Sequence, residues 1–405
     1  MSSQPGFIYL TWGQDPATSL IILWQTKSAD NPKKVDYRPA GTDTWQHATG
    51  SSTDSPGAGV IHQVYLKGLL PGTVYEYRVS WDDGSMSEAH NTRTAQSGAF
   101  DYRFIYFTDT GLIGRPDGFT NGTEQVRGEI LHDNPLFLLG GGDYAYGNKD
   151  GRFEVMAEAG DEWFRQWQPV LTRFPFYPQY GNHEIFLKET FEDWGPRFAY
   201  PKDHENGRYY SFDVGDVHYT AIFAPESKTM PTPEQLAWLD ADLAAARAHG
   251  TRWLITFQHA PIYGCGISHA ATPEMRALFV PVYEKHAVDL VITGHDQSYE
   301  RTFPLHHDGE TPNIMSSSMD TYRQGEGVIY TKVSPSGKRS EISRDFSKFT
   351  IDQQPFMAVR DDTAHHYAYV DVDASGKLEY VAFSLSGDGS PKTVLDHFTI
   401  TAKDG

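Results

Sequence analysis

At 405 residues the chain exceeds the usual size of one domain, so two are expected. A net charge of −19 argues against a nucleic-acid polymer as the main partner, although metal cations reverse the sign locally and let an acidic chain bind phosphate. The one cysteine, Cys265, excludes an intramolecular disulfide and a thiolate metal cluster, and no window approaches the roughly 18 unbroken apolar residues of a membrane span.

The opening Met1-Ser2-Ser3-Gln4-Pro5 has neither a basic nor an apolar stretch, so no signal peptide is expected and the compartment stays open. Residues 1–98 read as all-β. Leu20–Trp24, Lys34–Tyr37 and Val74–Val79 are short β-rich runs, separated by turn chemistry at Asp30-Asn31-Pro32 and Leu70-Pro71-Gly72-Thr73. Their spacing predicts a sandwich of about seven strands. From residue 99 to 405 strands alternate with helices, the pattern of an α/β catalytic domain. Strands are expected at Arg103–Thr108, Leu136–Leu139, His218–Phe223, Trp253–Phe257 and Val288–Thr293, apolar enough to be buried on both faces. Thr232-Pro233-Glu234-Gln235 reads as an N-cap, a first-turn proline and a capping-box glutamine, with Gly250 closing that helix. Thr272-Pro273-Glu274 starts another helix that runs toward His286. The Ser-, Gly-, Asp- and Pro-rich stretch 308–362 has little periodicity and is expected to form long loops; internal repeats are absent.

Five motifs fall just after strands, where open α/β sheets gather ligand-binding loops. They are Thr108-Asp109-Thr110-Gly111, Gly142-Asp143-Tyr144-Ala145-Tyr146, Gly181-Asn182-His183-Glu184, Gln258-His259-Ala260-Pro261 and Thr293-Gly294-His295-Asp296-Gln297. Singly, each has an ordinary explanation. An aspartate at a strand end is usually a cap, a histidine before Ala-Pro usually a structural hydrogen-bonder, and Tyr146 would normally be core. Together they bring oxygen and nitrogen donors to successive strand ends, flanked by glycines that let the backbone turn sharply.

The order Asp…Gly-Asp-x-x-Tyr…Gly-Asn-His-Glu…His…Gly-His-x resembles the purple acid phosphatase branch of the calcineurin-like metallophosphoesterases. His259–Tyr263 and Ser298-Tyr299-Glu300-Arg301 strengthen the match, and His62–Val79, with its Leu-Pro-Gly turn, resembles the late strands of a fibronectin type III domain. The resemblance spans essentially the whole chain. It implies a layered α/β sandwich with two central mixed sheets flanked by helices (99–405) and a separate all-β sandwich domain (1–98). It also implies two adjacent metals: Asp109, Asp143 and Tyr146 at the first, with Asp143 bridging, and Asn182, His259 and His295 at the second. Fe(III) would suit the phenolate site, and Zn, Mn or Fe(II) the other. His183 would face the substrate phosphate and Glu184 would orient it. His269 lies where plant members place a substrate-facing histidine; a general acid and a solvated loop residue both remain open there. The implied reaction is in-line hydrolysis of a small phosphate ester by a metal-activated water, and the family resemblance favours export.

Gln297 stands where the family pattern has a second metal-binding histidine. Three readings stay open: a neutral carbonyl ligand from Gln297, Asp296 bending in against the alternation of an extended segment, or a water in an open position. A weakened first site would favour diesters, including cyclic nucleotides, or reduce the chain to a metal- or phosphate-binding protein. A β-domain adhesion module is a further alternative, for which the fold alone gives no support.

Overall fold

The computed structural model describes residues 6–55, 59–200, 207–266, 269–307, 311–338 and 352–403. Eight strands, rather than about seven, come first. They form two four-stranded sheets: Ile8–Thr11, Ser19–Thr26, Gly59–Lys67 and Ser51–Ser55 in one, Gln46–Thr49, Lys34–Pro39, Val74–Val79 and His90–Arg93 in the other. All eight residues of Ser19–Thr26 are buried, and the two faces of the strand serve different cores. Leu20, Ile22 and Trp24 pack between the two sheets with Val35, Val64 and Tyr77, whereas Ile21 and Leu23 join Phe7 and Tyr9 against Phe164 of the helix Met156–Gln166. Phe7 stacks on Phe164 at 4.5 Å, and Gln168 pairs with both the N–H and the C=O of Ile8 at 2.7 Å. The sandwich is therefore docked onto the rest of the chain through apolar surface, the main source of such adhesion.

The remainder holds two seven-stranded mixed sheets, the architecture expected. The first runs Phe176–Pro178, Phe137–Gly140, Tyr102–Phe107, His365–Asp373, Lys377–Leu385, Thr393–Thr401, Thr321–Arg323, with its first three strands parallel. The second runs Tyr210–Val214, Val217–Ala221, Trp253–Phe257, Leu290–Thr293, Ile329–Lys332, Tyr299–Thr302, Met357–Asp361, parallel from its second strand to its fifth. The sheets face each other through Phe104, Tyr106 and Phe137 on one side and Tyr219, Ile255 and Phe257 on the other. Helices Asn121–Asp133 and Met156–Gln166 cover the first sheet, and Pro233–Ala248 and Pro273–Lys285 the second.

Two local expectations need correction. The stretch 308–362 is not all loop: its described part supplies strands at Pro312–Ile314, Thr321–Arg323, Ile329–Lys332 and Met357–Asp361, while 308–310 and 339–351 lie outside the described residues. These strands are short and sit among turn residues, so they leave no periodic signal. The Thr232 hydroxyl does cap its helix by accepting from Gln235 N, but Gln235 completes no capping box. Its side chain instead pairs with the N–H and C=O of Phe223, an orphaned segment beyond the strand end. Thr272 caps Pro273–Lys285 as expected.

Candidate metal centre

Every one of the five motifs lies at the C-terminal end of a parallel strand, and the two sheets bring those ends to one place. Asp109 follows Tyr102–Phe107, Asp143 follows Phe137–Gly140, Asn182 follows Phe176–Pro178, His259 follows Trp253–Phe257 and His295 follows Leu290–Thr293. The loops are laced together by Asp109 N–H to Gly142 O at 3.1 Å, Thr110 N–H to Asp143 O at 3.1 Å and Gly294 N–H to His259 O at 2.8 Å. Ten described non-glycine residues have positive φ, and five of them are Asp109, Asp143, Tyr146, His295 and Gln297. Left-handed backbone costs such residues on the order of 1 kcal/mol each, and it clusters where side chains must be aimed against local preference. Gly181 is required for a different reason: a Cβ there would come 2.1 Å from Asp143 Oδ1.

At the centre, Asp143, His259 and His295 offer ligand atoms all within 4.8 Å of one another, and all three residues are buried. His259 Nε2 lies 3.2 Å from Asp143 Oδ2 and 3.0 Å from His295 Nδ1. The other ring nitrogen, His259 Nδ1, donates to Gly141 O at 2.6 Å, which orients the imidazole and aims Nε2 inward. Asp109 lies alongside. Its Oδ1 accepts from Tyr146 OH at 2.6 Å, and its Oδ2 from His295 N–H at 3.0 Å and Ser334 Oγ at 2.9 Å. Gln297 is 8% exposed, and its Nε2 donates to the Tyr146 oxygen at 3.3 Å. Asp296 does not bend in. Its carboxylate faces Lys332 Nζ at 3.1 Å on the far side of the loop.

Burial raises the Asp109 carboxyl above its ordinary range, opposed by His259 and helped by Asp143. Burial pushes Asp143 upward too, but His259 and His183 outweigh it and hold that carboxyl well below the usual range. At His259 burial is overcome by Asp143 and Asp109, which lift the imidazole to about 9. Buried carboxylates thus draw positive charge to this spot, as a cation site must. Two amide oxygens on the same set of loops, Asn182 Oδ1 and Gln297 Oε1, are buried without a hydrogen-bond partner among the described residues. Orphaned buried acceptors are costly, and oxygen atoms beside imidazole nitrogens and carboxylates fit metal ligation.

His183 packs its ring 4.2 Å from that of Tyr146, donates its backbone N–H to Asp143 Oδ1 at 2.8 Å and engages Asn148 Oδ1 through Nδ1 at 2.6 Å. Burial depresses it to about 4. Glu184, expected to orient His183, engages the backbone of the two loops around that ring. Its carboxylate accepts from the N–H groups of Asp143, Tyr144 and Gly181 at 2.8, 3.0 and 2.7 Å, so it shapes the loops instead. His269, half-buried, lies with its ring 4.1 Å from that of His295. Sequence reasoning missed Asn148, Ser334 and Lys338, whose buried Nζ stands 5.0 Å from the Tyr146 ring centre. Asn148 follows Tyr146 by two residues, but no spacing rule marks it; Ser334 and Lys338 fall in the stretch read as loops.

Residues 5–94 match the family described as purple acid phosphatase, N-terminal domain, and residues 102–299 match the calcineurin-like phosphoesterases. The chain belongs to the purple acid phosphatase-like branch of the calcineurin-like phosphoesterases. Relatives of this purple acid phosphatase-like chain include acid phosphatase type 7 of Homo sapiens, 24% identical over 426 residues, covering 98% of this chain and 91% of the relative. An uncharacterized protein of Mycobacterium tuberculosis is 24% identical over 472 residues, covering 99% of this chain and 88% of its own length. Purple acid phosphatase 15 of Arabidopsis thaliana is 28% identical over 273 residues, 60% of this chain and 50% of that protein. The fold is that of a purple acid phosphatase from yellow lupin (Lupinus luteus) seeds, with a TM-score of 0.82 at 19% identity over 99% of this chain and 75% of the other. No described helix of the chain is long and apolar enough to cross a membrane.

Proposed function

We propose that the chain is a dinuclear metal-dependent hydrolase of small phosphate esters, acting first of all on monoesters. The observation that carries the reading is the buried Asp143–His259–His295 cluster, with two amide oxygens on the loops that deliver it, Asn182 Oδ1 and Gln297 Oε1, buried and without a hydrogen-bond partner among the described residues. Asp109, Asp143, Tyr146 and Gln297 would hold the first metal, and Asn182, His259 and His295 the second, with Asp143 shared. The carboxylates and the phenol of the first set suit Fe(III), and the imidazole and amide donors of the second suit Zn, Mn or Fe(II). Bound there, two metals supply Lewis acidity and a nucleophilic water at neutral pH.

The chain's own residues do the rest. His183, tethered through Nδ1 by Asn148, would take up a second proton beside a bound phosphate anion so that Nε2 donates to a phosphoryl oxygen, and buried Lys338 adds positive charge near the same place. His269, over His295, is the candidate to protonate the departing oxygen. Glu184 keeps the Asp143 and Gly181 loops at the separation the site needs. We assign residues 1–98 to a fibronectin type III-like scaffold domain and 99–405 to the catalytic domain.

The test is elemental analysis of chain purified without chelator, followed by turnover of p-nitrophenyl phosphate and bis(p-nitrophenyl) phosphate. Close to two metals per chain and faster monoester cleavage are expected. A chain with one metal that prefers the diester moves the reading to a phosphodiesterase; one that retains no metal and cleaves neither ester overturns it.

A further inference from the structure

Asp296 sits between two residues aimed at the metal centre, yet its side chain takes no part in that centre. It is 1% exposed, and its two oxygens do different things. Oδ2 lies 3.1 Å from Lys332 Nζ, and Oδ1 accepts the backbone N–H of His269 at 3.1 Å. Lys332, also 1% exposed, lies 2.5 Å from Glu300 Oε2, and both oxygens of Glu300 accept the backbone N–H of Cys265, at 2.8 and 3.0 Å. One buried ammonium thus binds two carboxylates that grip the same loop at two points, Cys265 and His269. The fit is close: a Cβ on Gly266 would come 1.5 Å from Asp296 Oδ2, so only glycine lets the loop settle on the carboxylate.

The charges explain why the grip is firm. A buried carboxylate is tolerable only when paired and hydrogen-bonded, and breaking one member of such a set leaves an uncompensated charge. Lys332 satisfies both carboxylates from one strand, Ile329–Lys332, which is itself hydrogen-bonded to Leu290–Thr293, the strand that delivers His295. The His269 loop and the His295 loop therefore share one anchor, and the consequence is visible in the 4.1 Å approach of the two rings.

We propose that Asp296, backed by Lys332 and Glu300, is a positioning residue that holds His269 over the metal centre so that it can deliver a proton to the leaving group. This rests on the phosphate-ester reading above. The proton moves from the His269 ring to the ester oxygen as the P–O bond to the leaving group breaks, and the ring is reprotonated from water.

Two variants test it, Asp296→Ala and, because the first removes a buried charge, Gly266→Ala, which displaces the loop while keeping every charged group. Three readouts are taken: metal content, hydrogen exchange at the Cys265 and His269 amides, and kcat for p-nitrophenyl phosphate against an alkyl phosphate whose leaving group needs a proton. Both variants should exchange faster at His269 while retaining metal. Each should lose about 10²-fold in kcat on the alkyl ester, the scale of general acid catalysis, and far less on the aryl ester. Asp296→Ala combined with His269→Ala should be no slower than His269→Ala alone. Unchanged exchange at His269 overturns the anchoring. An equal loss on both esters, or full additivity with His269→Ala, overturns the role in positioning the acid and leaves Asp296 a structural residue. A wild-type chain that holds metal but cleaves no phosphate ester overturns the functional reading and the catalytic half of the proposal, while the exchange result still decides the anchor.

Discussion

Gln297 and Tyr146 meet across the candidate metal centre: the amide Nε2 donates to the phenol oxygen at 3.3 Å, which turns Oε1 into a buried acceptor without a partner. The hydrogen bond fixes which end of the amide faces inward, because a phenol oxygen that already donates to Asp109 has only acceptor capacity left. Under the proposed function Gln297 would be an oxygen ligand in a position where the family pattern has nitrogen.

A neutral amide carbonyl oxygen is a weaker ligand than imidazole. Gln297→His should therefore raise metal retention during dialysis against a chelator and shift preference toward monoesters. Gln297→Ala should lower the metal content toward one per chain. If metal content and the monoester-to-diester ratio are the same in all three proteins, Gln297 is not a ligand.

Asn148 is the side chain that holds the His183 ring, at 2.6 Å. Asn148→Ala should lower kcat/KM by about 10-fold, in the range found when groups that orient active-site imidazoles are removed, with metal content intact. Asn148→Asp, which keeps an acceptor in place, should recover most of the loss. No effect in the alanine variant would show that His183 needs no tether.

Glu184 accepts three buried backbone N–H groups from two loops. Glu184→Ala would leave those donors unpaired at about 1–3 kcal/mol for each one that finds no water. A lower Tm together with loss of metal is expected, since the Asp143 loop and the Gly181 loop would separate. A normal Tm in the variant would mean the loops stand without the clamp.

His218 lies far from the metal centre between Asp213 and Asp242, at 2.7 and 2.8 Å. Burial alone would depress its pKa, but the two carboxylates raise it to about 9 from an ordinary 6.5. The folded state therefore holds this proton more tightly than the unfolded one. The stabilisation is fully present below about pH 6.5 and is lost as pH rises through about 9. With Asp213 partly exposed to solvent, it is worth about 2 kcal/mol. Urea midpoints measured from pH 6 to 10 should fall across that window and flatten in His218→Gln; parallel curves for the two proteins would contradict this.

Much of the site was legible because its residues belong to short motifs with local requirements. Gly-Asp-x-x-Tyr, Gly-Asn-His and Gly-His place a polar donor next to a residue that lets the chain turn at a strand end, and each can be read within a few positions. The strands that carry them are apolar on both faces, which marks them as central. The short strands of 308–362 were missed because three to five residues among Ser, Gly and Asp carry no period. The C-terminal strands His365–Asp373, Lys377–Leu385 and Thr393–Thr401 went unread although they complete the first sheet.

From the sequence alone came the class of fold, the order of the donor loops and the substitution at position 297, since all three are written in contiguous residues. What only the tertiary structure decided is how those donors are held: Asn148 on His183, Ser334 on Asp109, Glu184 on backbone rather than on its neighbour, and Asp296 turned toward Lys332. Each depends on which distant group shares a buried volume with it. Burial drives most polar atoms to find a partner, and that partner is chosen by packing across tens to hundreds of residues.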